Sequence, residues 1–446
     1  MMAETLTIPA YRTPAALLVI ADDFTGANDT GVALVRQGLT AHVQFDIQTE
    51  VQRGSSASAV IYSSDSRALS AAQAAQKVTL AVQAGMAAIS GQHWVFKKID
   101  STLRGNLGAE TEAALTALHC PLAIVAPAVP ALGRVVADGK CYVNGQLLTE
   151  TEFASDPKTP VHTASIAERL AEQTSLKQHH VSFEALRSGD LHKVIFALVA
   201  SGVRILIADS ETPEDLKLIV QAAESLPFRP LMVGASGLIH ALTDAALHDN
   251  EHPPVISGKK LPLLAVVGSM SEIALQQVAC VMQHRAISLL DIDVIPLFSD
   301  EFIDIQQTLV AQISQALAQG KHCVIRTSQG AEQRHRIAQF CQQHDISRSQ
   351  MGERIAAFLG QLIRHVLQQT HPGGIYLTGG DIALAVVRAL GAKGFEIKGQ
   401  IADCVPWGYL QGSQIHRLPV MTKAGGFGTE STLLEVLRFI EEKLSD

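Results

Sequence analysis

Residues 17–29 read LLVIADDFTGAND, an apolar stretch that ends in two acidic residues and a glycine. A buried strand followed by such a turn and a helix is typical of doubly wound α/β folds, which bind ligands outside the carboxyl ends of their strands. Gly26 permits a close approach of the backbone to a ligand. The stretch therefore predicts the fold class and one wall of a binding site. The alternative is that Asp23 only caps the helix and Asp22 is only solvated.

Short β-branched stretches alternate with longer amphipathic stretches along all 446 residues, which predicts an α/β fold. A chain of this length exceeds what one hydrophobic core usually serves, so two domains are expected. Residues 248–262 are rich in Pro, Gly and charge and indicate the boundary. We predict domains at 1–250 and 263–446 joined by a linker at 251–262. Each domain is expected to be a mainly parallel sheet flanked by helices, with the active-site cleft between them.

The individual elements are predicted from the period of the apolar residues. The predicted strands are Leu17–Ala21, His42–Phe45, Ala59–Ser63, Trp94–Ile99, Leu122–Pro127, Arg204–Ala208, Leu231–Gly234, Leu263–Val267, Ile287–Asp291, His322–Thr327, Gly374–Thr378 and Pro419–Thr422. A β-hairpin is predicted at Cys141–Leu148, because Asn144-Gly145 suits a tight turn. Amphipathic helices are predicted at Ser70–Gly85, Leu107–Leu118 and Thr429–Leu444.

The composition describes a globular protein with a large core, since hydrophobic residues make up 47% and charged residues 17%. A net charge of −8 argues against a nucleic-acid partner, but a small anion needs only a local cluster of Lys and Arg. No segment approaches the roughly twenty uninterrupted apolar residues of a membrane helix, and the N-terminus has no signal-peptide pattern. We expect a cytoplasmic protein without a membrane partner.

Two further predicted strands end in polar residues. Residues 61–67 read IYSSDSR, and Arg67 at this point can hold a carboxylate through two hydrogen bonds, unless it only pairs with Asp65 on the surface. Residues 96–106 read FKKIDSTLRGN, and strand alternation points Lys98 and Asp100 to the same side. This density of charges and hydroxyls favours a polyhydroxylated anion as the ligand. The alternative is a basic edge strand followed by a capped helix.

Specific roles follow from the residue types in the 96–106 segment. Lys98 and Arg104 are expected to neutralise the charge of the anion, while Asp100 and Ser101 contact its hydroxyls. Arg134 follows another strand end, where a functional and a structural role are equally open.

The second half of the chain carries three glycine turns at strand ends, which read VVGSMS at 266–271, YLTGGDIA at 376–383 and TKAGGFGT at 422–429. Helix N-termini preceded by glycines present N–H groups to phosphate oxygens, so three such turns indicate a polyphosphate site. No GxxxxGKS motif is present. Lys423 is placed to contact phosphate, and Asp381 could reach a magnesium ion or a nucleotide hydroxyl, or cap its helix. Each turn taken alone is more often an ordinary helix start.

Five motifs occur in one order along the whole chain: ADDFTGAND, KKIDSTLRGN, GSMS, LTGGD and KAGGFG. In this order they resemble the four-carbon acid sugar kinases. The resemblance implies an N-terminal domain that binds the acid and a C-terminal domain that binds ATP. It also implies phosphorylation of the terminal 4-hydroxyl of D-threonate, D-erythronate or a 3-oxo-tetronate. Residues 148–161 look more like the threonate and erythronate kinases than the 3-oxo-tetronate kinases, and D-threonate is the acid that we expect.

The family pattern, carried over to the matching positions, implies contacts to the sugar acid from Asp22, Arg67, Lys98, Ile99, Asp100 and Ser101. It implies contacts to the nucleotide from Ser269, Gly379, Gly380, Asp381, Ile382 and Gly425. From the residues themselves, Arg104 is added to the acid site and Gly426 to the nucleotide site.

We hypothesise an in-line transfer of the γ-phosphoryl group of ATP, with Mg2+ bridging the phosphates and with Asp22 or Asp100 orienting or deprotonating the hydroxyl. The metal ligands, the stereochemistry of the acid and the oligomeric state, for which a homodimer is an option, stay open. A phosphatase forming an aspartyl-phosphate is disfavoured, because residues 22–25 lack the DxD pattern. A non-catalytic sugar-acid sensor is the other alternative, although it would not need three phosphate-type turns.

Overall fold

The structure is a computed structural model that describes residues 16–47, 59–89, 93–156, 159–244, 261–269, 271–298, 302–327, 331–415 and 417–443. Nearly all of the predicted linker at 251–262 lies outside these residues, as do positions 157, 158 and 270.

The first half of the chain alternates strands and helices. Its strands are β1 Ala16–Ala21, β2 Ala41–Gln44, β3 Ala59–Ser63, β4 His93–Lys98, β5 Ala123–Ala126, β6 Arg134–Ala137, β7 Lys140–Val143, β8 Gln146–Leu147, β9 Gln178–Val181, β10 Ile205–Ala208 and β11 Leu231–Gly234. Its helices are α1 Phe24–Arg36, α2 Ala71–Ala88, α3 Leu107–Ala117, α4 Ile166–Ala171, α5 Phe183–Arg187, α6 Leu191–Ala200, α7 Pro213–Glu224 and α8 Ser236–Asp244.

The second half continues the same alternation. Its strands are β12 Leu263–Val267, β13 Ile287–Asp291, β14 His322–Arg326, β15 Gly374–Thr378, β16 Gly394–Gln400, β17 Pro406–Gln411 and β18 Pro419–Lys423. Its helices are α9 Glu272–His284, α10 Phe302–Ala318, α11 Ala331–Gln343, α12 Arg348–Gln369, α13 Gly380–Ala389 and α14 Thr432–Lys443.

Helix starts follow from local chemistry. The Ser70 hydroxyl accepts from the backbone of Gln73, and the Gln73 side chain accepts from the backbone of Ser70, so that α2 begins with a capping box. Thr212 and Asp215 do the same for α7, and Pro213 takes its first position. The predicted helix at Thr429–Leu444 begins three residues later, at Thr432.

Fifteen strands form one continuous sheet in the order β13-β14-β12-β15-β18-β17-β16-β2-β3-β1-β4-β11-β5-β10-β9. The pairs are parallel except β17 with its two neighbours and β2 with β16. The predicted α/β fold with mainly parallel strands is therefore confirmed. The two halves are joined edge to edge through β2 and β16, which the sequence did not predict.

The strands at the centre of the first half are buried on both faces. Leu18, Val19 and Ile20 of β1 are each at most 1% exposed, and burial stabilises such side chains by about 1.5–3 kcal/mol each. Because β1 lies between β3 and β4, the three loops that follow these strands meet at one edge of the sheet.

The predicted hairpin is present as β7 and β8, with Asn144 and Gly145 both in the left-handed region at φ 50° and 80°. Strand β6 pairs with β7 to make a separate three-stranded sheet. Among the described residues, no helix is long and apolar enough to span a membrane.

Candidate active site

The loops after β1 and β3 are joined by an ion pair between Asp22 and Arg67. Arg67 Nε donates to Asp22 Oδ2 at 2.7 Å and Nη2 donates to Oδ1 at 3.0 Å. Asp22 is 2% exposed, so it is not the solvated side chain of the alternative interpretation. Burial opposes its ionisation, but the charges of Arg67, Lys97 and Lys98 outweigh burial and hold the pKa of Asp22 below its ordinary value.

Asp23 caps the helix that follows. Its Oδ1 accepts from the backbone N–H of Gly26 at 2.8 Å, and Arg67 Nη2 lies 2.9 Å from the same oxygen. A Cβ on Gly26 would lie 2.7 Å from Asp23 Oδ1 and 3.0 Å from Lys98 Nζ, so this glycine lets the end of β4 approach α1. Both acids after β1 thus have a partner, and Arg67 binds both.

The loop after β4 holds a second buried ion pair. Arg104 donates to Asp100 through Nε at 2.8 Å and through Nη2 at 3.1 Å, and Thr102 donates to the same carboxylate. Burial opposes the ionisation of Asp100, but the charges of Arg67 and Arg104 have the larger effect. They hold the pKa of this carboxyl group below its ordinary value. Arg104 Nη1 also reaches Asp156 at 3.0 Å. Both oxygens of Asp100 therefore already accept hydrogen bonds from protein groups, and arginines balance its negative charge.

Residues 148–156 close over this pair. The Phe153 ring packs against two guanidinium groups, with its centroid 5.3 Å from Arg104 Cζ and 5.7 Å from Arg134 Cζ. Arg134 donates to the Ser101 hydroxyl. This loop, which carries the resemblance to threonate and erythronate kinases, thus lies directly against predicted acid-binding residues.

The two lysines at the end of β4 point in opposite directions, as the alternation predicts. Lys98 is 7% exposed and its ammonium donates to the Ile99 carbonyl at 3.0 Å. Ile99 is itself buried and its backbone N–H donates to Gly234, so it presents backbone and not side chain to the site. Lys97 turns inward and forms an ion pair with Glu110 of α3 at 2.7 Å.

The glycine turns of the second half lie together. Ser271 donates to the Gly425 carbonyl at 2.7 Å, and a Cβ on Gly425 would lie 2.2 Å from Ser269 Oγ. Gly379 has a φ of 100° and its N–H donates to the Lys423 carbonyl at 3.0 Å. The three strand ends of β12, β15 and β18 therefore form one surface, as a shared polyphosphate site requires.

The other predicted nucleotide residues differ in exposure. Ile382 is 7% exposed and packs against Gly268, whereas the Asp381 side chain is exposed and Gly426 faces open space. The Lys423 ammonium is occupied by three carbonyls of its own turn, those of Ala424, Gly425 and Phe427 at 2.7, 3.0 and 2.9 Å. Burial lowers the pKa of Lys423 to about 8.

The two halves face each other across a cavity. Its walls are Phe24, Thr25, Asn28 and Asp29 on one side and Gly380, Ala383, Cys404, Pro406, Thr422, Lys423 and Ala424 on the other. Asn28 Nδ2 donates to Thr422 Oγ1 at 3.2 Å, which fixes α1 to β18. The start of α1, which follows the Asp22–Asp23 turn, and the glycine turns at Gly380 and Lys423 therefore border one cavity.

Sequence reasoning missed several residues of this cavity and of the loops around Arg104. Asn28 and Asp29 belong to the ADDFTGAND motif, but they lie inside α1 and gave no signal beyond their position in that motif. Asp156 and Phe153 come from a loop without periodicity, and only the folded chain brings them to Arg104.

Two family models match the chain. A sugar-binding N-terminal domain covers residues 17–242, and a nucleotide-binding C-terminal domain covers residues 264–433. The structure is similar to a solved structure of a Salmonella typhimurium protein, with a TM-score of 0.80, 24% identity and coverage of 95% of this chain and 99% of the other. Fold and site thus define a two-domain enzyme class that binds a sugar on one domain and a nucleotide on the other.

Curated relatives narrow this class. The chain is 42% identical to the D-threonate kinase of Salmonella typhimurium, over 96% of this chain and 98% of that protein. It is 31% identical to the D-erythronate kinase of Heliobacterium modesticaldum, again over 96% and 98%. The chain belongs to the four-carbon acid sugar kinase family, and the resemblance in its five motifs is confirmed.

Proposed function

We propose that the protein transfers the γ-phosphoryl group of ATP to the 4-hydroxyl of D-threonate. The observation that carries this proposal is the cavity between the start of α1, which follows directly on the Asp22–Arg67 pair, and the glycine turns at Gly380 and Lys423. The D-threonate kinase relative supports the choice of acid. D-Erythronate and 3-oxo-tetronate are the alternative acceptors.

We assign the acid to the domain at 1–250 and the nucleotide to the domain at 263–446, with 251–262 as the linker. The two family models support this division, since they leave only residues 243–263 between them. A cytoplasmic location agrees with the use of ATP, and a homodimer stays a prediction that light scattering can check.

In the acid site, we propose contacts to the ligand from Asp22, Arg67, Lys98, Asp100, Ser101, Arg104 and the backbone of Ile99. Arg67 and Arg104 each already bind two carboxylates of the protein. Lys98 and Arg134 have no ion-pair partner among the described residues and donate only to Ile99 and Ser101. We therefore assign the carboxylate of the acid to these two cations, and its hydroxyls to the paired groups.

In the nucleotide site, we propose that Ser269, Gly380, Ile382, Gly425 and Gly426 hold the phosphates mainly through backbone N–H groups. Gly379, whose N–H already donates to the Lys423 carbonyl, would contribute the turn itself through its φ of 100°. No cluster of three or more potential metal ligands occurs among the described residues, which fits an Mg2+ that arrives with the nucleotide and needs one or two carboxylates. The exposed carboxylate of Asp381 is the ligand that we assign to it. When bound, Mg2+ would neutralise charge on the transferring phosphate.

The experiment that tests the function is ADP production with Mg-ATP and each of D-threonate, L-threonate, D-erythronate and 3-oxo-tetronates. We expect the highest kcat/KM with D-threonate, and a product phosphorylated at O4 by phosphorus NMR. Binding of the acid without any ATP binding in calorimetry would favour the sensor instead. Phosphate release from a phosphorylated acid without nucleotide would favour a phosphatase.

Arg134→Met is expected to raise KM for the acid by about tenfold to a hundredfold while kcat changes less. A hydrogen bond to a charged group contributes about 1.5–3 kcal/mol, and Met keeps much of the packing against Phe153. Steady-state kinetics with the acid as the varied substrate measures this effect.

The matched control is Arg187→Met, because Arg187 is exposed in the same half of the chain and pairs with Asp215. It should leave KM unchanged. An unchanged KM in Arg134→Met would remove Arg134 from carboxylate recognition.

A further inference from the structure

Asp29 differs from Asp22, Asp23 and Asp100 in having no hydrogen-bond or ion-pair partner among the residues that the structure describes. Asp22 is bound by Arg67, Asp100 is bound by Arg104, and Asp23 caps α1. The half-buried carboxylate of Asp29 makes no hydrogen bond or ion pair with the residues that the structure describes. It lies on α1 and borders the cavity between the two halves. Its lone pairs are therefore free for a ligand.

Asp29 lies where a group between the phosphoryl acceptor and the phosphoryl donor would lie. The same cavity is bordered by Gly380, at the start of α13, and by Lys423 of the last glycine turn. Thr25, one helical turn before Asp29, lies so close to Gly380 that a Cβ there would be 3.0 Å from Thr25 Oγ1. A carboxylate of the sugar-binding half thus faces the phosphate-binding turns.

The surroundings of Asp29 also suit proton transfer. The charged and titratable groups around it are Asp23 before α1, Arg67 after β3, Lys98 on β4, Cys404 between β16 and β17, and Lys423 on β18. Burial raises the pKa of Asp29 to about 6, with Asp23 adding to the effect and Lys98 and Arg67 opposing it. A general base works best with a pKa near the operating pH, whereas Asp22 and Asp100 have lowered pKa values and occupied oxygens.

We propose that Asp29 is the catalytic base of the proposed kinase reaction and accepts the proton of the attacking hydroxyl. The hydroxyl oxygen forms a bond to the γ-phosphorus, and the bond from that phosphorus to the β–γ bridging oxygen breaks. The electron pair of the broken bond stays on ADP, and the proton moves to the Asp29 carboxylate and then to solvent. Asp22 and Asp100 orient the acid through their arginines. This inference rests on the proposed function.

The test is the pH dependence of kcat/KM for the wild type, Asp29→Asn, Asp29→Glu and the control Asp403→Asn. Because the base acts when deprotonated, the wild-type rate should rise with pH through about 6 and then level off. Asp29→Asn should lose about 10²- to 10⁴-fold and lose this acidic limb. Asp29→Glu should keep the limb at a reduced rate. Asp403 is an exposed acid beside Cys404, so Asp403→Asn should behave as the wild type.

Binding and stability measurements separate this role from a structural one. Asp29→Asn should keep the melting temperature and bind the acid and ADP like the wild type in calorimetry. Near wild-type kcat/KM in Asp29→Asn, an acidic limb that persists in it, or recovery of its rate at high Mg2+ would overturn the assignment while the kinase function stands. A wild type inactive on every four-carbon acid would overturn both.

Discussion

Asp22→Asn is expected to lower kcat on the four-carbon acid by about 10²- to 10³-fold while the protein stays folded, because small displacements of substrate-orienting groups cost about this much. Both oxygens of Asp22 accept from Arg67, at 2.7 and 3.0 Å. An amide offers one oxygen and one NH2 group, so one guanidinium donor loses its acceptor. Arg67 is then free to move toward Asp23 and Asp100. Steady-state kinetics and thermal unfolding of the purified variant measure the two effects.

Asp23→Asn is the matched control, since it removes the same charge one residue later. Asn caps helices as well as Asp does, so the hydrogen bond from Gly26 can be kept. We expect a loss of less than about tenfold in kcat for this variant. Equal losses in the two variants would mean that only total charge matters, and wild-type turnover in Asp22→Asn would remove Asp22 from catalysis.

The strands that could be predicted are parallel ones that read as mainly apolar stretches, and most of them are buried. Ala59–Ser63, Leu231–Gly234, Leu263–Val267, Ile287–Asp291 and Gly374–Thr378 have the predicted bounds. Three strands of the large sheet were missed, as was Arg134–Ala137 of the small one. Gln178–Val181 is a polar edge strand, and Gly394–Gln400 and Pro406–Gln411 contain Gly, Pro and charged residues that weaken any strand signal.

The joining of the two halves could not be predicted for a different reason. Strand β2 pairs with β16 through contacts such as Val43 with Phe395, which lie far apart in sequence. Nothing in the local pattern of either strand specifies its partner. Sequence patterns indicate which residues are buried, but pairing between distant strands depends on the packing of the whole sheet.

The candidate site, like the sheet, could be predicted only in part. Its residues were predicted because polar groups at the ends of apolar strands stand out, but their mutual pairing was not. That pairing depends on loop conformations such as those of Asp65 and Leu103, which adopt φ values of 48° and 56°. Such left-handed backbone is uncommon for residues other than glycine, and an Asp or a Leu in the sequence does not specify it. The arginine expected to hold the substrate's carboxylate thus already holds those of Asp22 and Asp23.

Lys97→Met is expected to destabilise the protein by about 3–5 kcal/mol, because it leaves Glu110 as a buried charge without its partner. Lys97 is fully buried and its ammonium lies 2.7 Å from Glu110 Oε2. The other oxygen of Glu110 accepts from Ser66 at 2.7 Å, and the Ser66 hydroxyl contacts that of Ser64. Since about 1 kcal/mol shifts Tm by 2–4 °C in a domain of this size, calorimetry should show a fall of roughly 6–20 °C.

Two controls test whether the loss of stability in Lys97→Met comes from the unpaired buried charge. The exposed pair of Lys193 and Asp190 should contribute less than about 1 kcal/mol, so Lys193→Met should barely change Tm. The double variant Lys97→Met with Glu110→Leu removes both charges and should recover most of the stability, as hydrophobic replacement of a buried pair does. Recovery of Tm without recovery of kcat would show that the pair positions the loops around Asp22 through Ser66 and Ser64. A Tm of Lys97→Met equal to that of the wild type would contradict the prediction, because an isolated buried carboxylate must cost stability.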